Sequence, residues 1–227
     1  MIMSKKYLAL TAIIILFAVL VGPKIVERIR NNTTVDGSRL DQVATHRDSK
    51  SLVVMGKAPQ FVLTDQHDKK ISNDNFSNQV YVVEFFFSSC TSICPKMNKN
   101  MLEVEKQFFG NPHFSIVSVS IDPDHDSPKV LLQHAQDLGV KSKQWHFLTG
   151  NYATIMELAN KGFNVYAGKN PNISGGFEHS GLFALIDKEG NIRCRKDSFG
   201  NPILYYDGLE KKGIKDLIQD IQLLLNE

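Results

Sequence analysis

Two cysteines four positions apart, Cys90 and Cys94, with Pro95 directly after them, carry the most reactive chemistry in this chain. They end the run Phe85, Phe86, Phe87, Ser88, Ser89, Cys90, Thr91, Ser92, Ile93, Cys94, Pro95, which reads as a buried strand giving way to a helix. Loops at the carboxyl ends of strands in open α/β sheets are where ligands bind, and a helix N-terminus favours a thiolate. Pro95 suits a first helical turn. Three intervening residues let the sulfurs converge on one metal ion or, once oxidised, on each other. A chelate and a redox pair are both open at this point.

Two thiolates leave a soft ion short of donors, and one imidazole would complete a three-donor site suited to copper. Of the seven histidines, His46, His67, His113, His125, His134 and His146 stand among polar residues and read as solvated surface. His179 differs. It lies in Gly175, Gly176, Phe177, Glu178, His179, Ser180, Gly181, immediately before the β-prone run Leu182 to Ile186, so its loop can reach the same end of a sheet. Spacing alone leaves it a candidate ligand.

The elements that must position these groups are legible in the hydrophobic periods. Tyr81 to Phe87 and Phe114 to Ile121 are nearly unbroken β-prone runs, as expected of strands buried on both faces. Between them Met97, Met101, Val104 and Phe108 fall on one helical face. After the second run, Leu131, Ala135 and Leu138 mark a helix following Pro128. Phe61 to Thr64 and Ile71, around a polar turn at Asp65 to Lys69, suggest an edge hairpin. Trp145 to Leu148 and Leu182 to Ile186 read as further strands, with Asn151 capping a helix that carries Ile155, Leu158 and Ala159. Ile214, Leu217, Ile218, Ile221 and Leu224 give a closing amphipathic helix. Gly162 to Gly176 reads as a long irregular piece whose mobility would free His179. Alternating strands and helices predict an α/β fold with helices on both faces of one sheet.

At 227 residues the chain has material for one core plus attachments. Lys and Arg total 26 against 24 Asp and Glu, with no block of like charge, so nothing supplies the basic stripe of a nucleic-acid binder. Three cysteines are too few for a disulfide scaffold. At the N-terminus Lys5 and Lys6 precede the uncharged run Tyr7 to Pro23, with no small-x-small cleavage site and no cysteine for lipid attachment. This predicts an uncleaved membrane anchor over 1–23, a polar tether over 24–50 and a folded domain over 51–227. Positive charge at Lys24, Arg28 and Arg30 beyond the run leaves orientation undecided by charge.

The chain resembles the Sco/SenC family. The resemblance rests on Phe85 to Pro95 as its C-x-x-x-C-P signature and on Asp122, Pro123, Asp124, His125, Asp126, Ser127, Pro128 as its acidic D-P-x-x-D-[ST]-P loop. His179 with Ser180 matches its histidine-serine pair, and Gly56, Lys57, Ala58, Pro59 followed by Phe61, Leu63 and Asp65 its domain entry. The resemblance implies a thioredoxin-like fold in which Cys90, Cys94 and His179 bind one copper, as Cu(I) or Cu(II). It further implies metallation of the dinuclear copper site of cytochrome c oxidase, by delivering copper, by reducing that site's cysteines, or by both. The partners would be the copper-bearing oxidase subunit and a further copper chaperone or thiol reductant. Asp122 and Asp126 would support the site or dock a partner, with helix capping and turn formation before Pro128 as the plain alternative. The resemblance implies a domain held outside the cytoplasm, and the short anchor without an Arg-rich, Ser-rich presequence points to a bacterial inner membrane with the domain in the periplasm. Phe177 and Glu178 depart from the usual residues before the histidine, and Cys194, between Arg193 and Arg195, is outside the motif and reads as an incidental strand thiol. The competing reading is an anchored thiol-disulfide oxidoreductase with Cys90 attacking and Cys94 resolving. A peroxidase lacks its upstream proline-threonine arrangement, and a structural zinc site lacks a fourth ligand.

Overall fold

The computed structural model describes residues 51–173 and 175–227, together with Phe17 and Pro23, and the chain from Leu52 to Glu227 forms one compact unit. The expected anchor over 1–23 and tether over 24–50 therefore lie outside the described residues. Among those described, no helix is long and apolar enough to cross a membrane.

The unit opens with β1 (Val53–Lys57), β2 (Val62–Asp65), β3 (Lys70–Ser72) and a 3₁₀ turn at Asn73–Phe76. Next come β4 (Val80–Phe86), α1 (Cys94–Phe108), β5 (Phe114–Ser120), α2 (Pro128–Leu138), β6 (Trp145–Thr149) and α3 (Tyr152–Glu157), which runs into a π turn at Leu158–Gly162. The remainder is β7 (Ala167–Lys169), β8 (Phe177–His179), β9 (Leu182–Ile186), β10 (Asn191–Lys196), β11 (Pro202–Ile203), β12 (Tyr206–Asp207) and α4 (Lys211–Asn226).

The main sheet runs β1-β10-β9-β4-β5-β6-β2-β3, with β11 on β10 and β12 on β9. Its centre is parallel: β4 pairs β5 and β5 pairs β6, each crossover being a helix. The flanking pairs are antiparallel. All seven residues of β4 and of β5 are buried, the reason these strands read as nearly unbroken β-prone runs. Consecutive side chains leave on opposite faces, so Phe86 stacks on His134 of α2 at 5.4 Å while Phe85 meets Phe163, beyond the π turn, at 5.9 Å. Helical segments thus cover both faces, the thioredoxin-like α/β arrangement that the resemblance implies.

The expected hairpin is present, and β3 lies at the sheet edge. α2 is capped by the Ser127 hydroxyl, which accepts from the Val130 N–H, and closed by Gly139 at φ 77°. α4 is pinned by charge: Asp220, buried, accepts from Arg195 and from the Tyr206 hydroxyl.

Two expectations are corrected. Gly162 to Gly176 is not irregular throughout, because β7 lies within it and pairs β8, setting Ala167 against His179. Strands of three residues are too short to show a period in sequence. His134 and His146 are not solvated surface either: both are half-buried, and burial depresses both imidazoles. His134 lies on α2 and His146 on the largely buried strand β6, each with its ring turned toward aromatics, His134 to Phe86 and Phe147, His146 to Phe76.

Candidate metal centre

Three elements converge at the carboxyl end of β4. The strand passes through Phe87, Ser88 and Ser89 as a short strap to Cys90, whose N–H donates to the Phe87 carbonyl at 3.3 Å. Cys94 is the first residue of α1, with Pro95 beside it needing no donor there. His179 arrives on the separate β7–β8 hairpin. Cys90, Cys94 and His179 are 7%, 2% and 6% exposed, so their chemistry is set by one another instead of by water.

Their ligand atoms all lie within 4.8 Å of one another, and among the described residues no other group of three or more such side chains comes together. Cys94 Sγ is 3.1 Å from His179 Nε2. His179 Nδ1 lies 3.1 Å from the Ser180 carbonyl, which accepts only if Nδ1 carries the proton. Nε2 is then left with its lone pair facing the sulfur, the arrangement a metal-binding imidazole needs. Phe87 walls the site, its ring edge-on to His179 at 5.9 Å and tilted against Phe177 at 5.7 Å.

The hairpin tip closes over this wall at Gly175, which has φ 88° and where a Cβ would stand 2.5 Å from the Phe87 ring, so only glycine fits. Lys169 lies over the Tyr152 ring at 4.8 Å and over the Phe177 ring at 5.7 Å, adding a cation–π hold on the hairpin.

The two thiols are coupled. Cys90 is shifted far below an ordinary thiol, first because Cys94 hydrogen-bonds to it, with Ser92 adding to this against burial. Cys94 is correspondingly pushed up by the same bond and by burial, although it heads a helix. The first proton of the pair therefore leaves readily while the second is held until something displaces it. Two soft sulfurs and one oriented nitrogen, dry and convergent, fit a thiophilic ion such as copper.

Asp122 and Asp126 lie on the loop after β5 and are not among the three convergent donors. Asp126 is fully buried and binds the strap; Asp122 is half-exposed, its carboxyl raised by burial and by Asp126. Neither caps α2, which Ser127 does, although the Asp122 carbonyl accepts the His125 and Asp126 N–H groups in a turn. Cys194 is fully buried on β10 opposite Val53, and burial raises its thiol. It takes no part in the cluster.

Sequence reasoning passed over Glu84. It sits at the centre of β4, 0% exposed, with Oε1 accepting from the Ser118 hydroxyl at 2.6 Å and Oε2 without a partner. The Trp145 indole N–H donates to the same hydroxyl at 2.8 Å, which commits the Ser118 proton to Glu84. Burial raises the carboxyl to about 7. The signal was a single charged letter inside an otherwise apolar strand.

The family model for SCO1/SenC matches residues 54–211, a span containing all three ligand candidates and the acidic loop. The chain belongs to the SCO1/SenC family. Its similarity to the SCO1 protein homolog of Bacillus subtilis is 30% identity over 164 residues, 71% of this chain and 79% of that protein. A SCO1/SenC family lipoprotein from Bacillus anthracis superposes with a TM-score of 0.67 at 26% identity, over 78% of this chain and 98% of that one. BsSco, described as a member of the Sco family of cytochrome c oxidase assembly proteins with a disulfide switch, superposes at 0.63 with 27% identity, covering 75% and 95%. These likenesses fall on the folded unit and agree with the thioredoxin-like α/β arrangement.

Proposed function

We propose that this chain is a copper chaperone that holds one copper ion, as Cu(I) or Cu(II), through Cys90, Cys94 and His179 and assists assembly of the dinuclear copper site of cytochrome c oxidase. The observation that carries the reading is the convergence of two thiols and one oriented imidazole within 4.8 Å, all buried. Family membership and the oxidase-assembly role described for BsSco support it. Copper arriving at the pair displaces the proton that Cys94 retains, so loading releases protons and weakens in acid. In this reading the oxidase's copper-bearing subunit is the recipient, with another copper chaperone or a thiol reductant upstream. Residues 1–23 anchor the chain in a bacterial inner membrane, 24–50 tether it, and the domain over 51–227 faces the periplasm.

The test is copper stoichiometry of the reduced unit from Ser51 onward, beside a His179→Ala variant, by elemental analysis and absorption. One tightly held copper, with its thiolate-to-copper absorption lost or strongly weakened in the variant, is the expected result.

A second reading is favoured by the low-lying Cys90 thiolate and by the disulfide switch described for BsSco. Here the chain reduces a partner's disulfide. Cys90 attacks one sulfur and releases the other as a thiolate; Cys94, deprotonated, then attacks Cys90 and frees the second, leaving a Cys90–Cys94 disulfide and two electrons on the partner. A wild-type domain that binds no copper above background yet cycles with a dithiol would establish this reading over the first.

A further inference from the structure

The strap that delivers Cys90 has a buried anchor. Asp126 is 0% exposed, and its two oxygens receive four donors. Oδ2 accepts the Ser88 N–H at 3.0 Å and the Ser120 hydroxyl at 2.5 Å. Oδ1 accepts the Ser88 hydroxyl and His125 Nδ1, the latter at 2.9 Å. All four lone-pair directions of the carboxylate are thereby used. Two of the donors come from Ser88, two residues before Cys90, and one from Ser120, the last residue of the neighbouring strand β5. The carboxylate therefore ties the open ends of β4 and β5 together at the point where the chain turns toward its first thiol.

Capping α2 does not explain this placement, because Ser127 caps it. Stabilising the helix would not require binding Ser88 through both its backbone and its hydroxyl. The thiols themselves supply the reason. In this structure all three cysteines are free, and the Cys90 and Cys94 sulfurs, joined by a hydrogen bond and not by a covalent one, face His179 as two donors. A disulfide requires them to close to about 2 Å. Cys94 is built into a helix whose Met97, Met101 and Val104 are fully buried, so the closing movement falls to Cys90 and its strap. Four hydrogen bonds to a buried charge resist that movement.

We infer that Asp126 is the positioning residue for Cys90, holding the strap so that the two thiols stay open as a chelating pair and do not collapse into a disulfide. It acts through Ser88; His125, more than half exposed, is the outermost of the four donors and the least needed. The inference rests on the reading of Cys90 and Cys94 as the working pair, but not on copper.

The experiment uses the full-length chain, free of copper, with Asp126→Asn, Ser88→Ala and His125→Gln variants. Each is equilibrated with dithiothreitol redox buffers, and its thiol–disulfide ratio is read by alkylation and mass spectrometry, with thermal unfolding read separately. Asp126→Asn turns an N–H₂ toward two of the four donors, so the expected result is a shift toward the Cys90–Cys94 disulfide of about tenfold or more, about 30 mV in potential. Ser88→Ala, which removes only the hydroxyl bond, shifts the same way by less, and His125→Gln stays at wild type. A folded Asp126→Asn chain with a wild-type ratio, or one shifted toward the dithiol, overturns the inference, because a purely structural carboxylate would lower the melting temperature alone. If Asp126→Asn does not fold, Ser88→Ala carries the test and an unchanged ratio there overturns it. Failure of the copper reading would show instead in the wild-type chain, as absent copper with the redox ratio still measurable.

Discussion

Replacing Glu84 by Gln should make the apo, reduced protein more stable at neutral pH, and the structure gives the size and shape of the gain. The carboxyl is fully buried, has one hydrogen bond from Ser118, and leaves Oε2 unpartnered, so its charged form is disfavoured and its pKa rises from 4.5 to about 7. Below the unfolded value both states hold the proton and nothing is lost. Between about 4.5 and 7 the unfolded chain ionises while the native protein keeps its proton, so native stability falls as pH rises through that window. Above it the loss is complete and constant. At about 1.4 kcal/mol per pH unit the loss is about 3 kcal/mol, with no discount for solvent screening because the group is out of contact with water. Gln keeps the Ser118 bond through its carbonyl oxygen and does not ionise. Urea unfolding of both proteins across this range, under reducing and metal-free conditions, should give curves that coincide near pH 4 and separate by about 3 kcal/mol near pH 8, with Glu84→Gln the more stable. His134 and His146, both depressed by burial, impose an opposite slope that is common to the two proteins and cancels in the difference. Parallel curves across the whole range would refute the assignment of a raised, buried carboxyl.

Three further outcomes follow from the site. Gly175→Ala puts a Cβ against Phe87 at a positive φ, so it should cost about 1–3 kcal/mol by urea unfolding and lower copper affinity, since the hairpin it disturbs carries His179. Iodoacetamide labelling of the reduced chain at mildly acidic pH should modify Cys90 and spare Cys94, read by peptide mass spectrometry; equal labelling would contradict the coupled order of proton loss. Cys194→Ala should leave copper stoichiometry unchanged while costing about 1 kcal/mol for the small cavity left in the sheet, measured by unfolding beside metal analysis.

The parallel centre of the sheet and the helices beside it were legible because long elements show their period: β4, β5, α1 and α4 each announce themselves by burial on two faces or on one stripe. Cys90, Cys94 and His179 were legible as donors by residue type, spacing and family likeness. The β7–β8 hairpin was hidden because each strand has three residues, and β11 and β12 because each has two, which is less than any period needs. The surroundings of Asp126 were hidden for a different reason. Ser88, at the end of β4, meets it from across the parallel pair β4–β5, and no local pattern in a sequence encodes which distant serine faces which carboxylate. Glu84 was visible as a letter but not as an anomaly, since only burial turns one Glu in a strand into an unpaired acid.

The hairpin carrying His179 is hydrogen-bonded as its own two-stranded ladder, apart from the sheet and helix that carry the cysteines. The third donor is consequently delivered as an intramolecular ligand, at an effective concentration set by how firmly the hairpin, through Lys169, Gly175 and Phe177, rests on Phe87 and Tyr152. Retention of the cargo is then adjustable from outside the donor set. Substitutions at those contacts retune how long the ion stays while sulfur and nitrogen chemistry remain untouched, which separates evolution of release rate from evolution of metal choice.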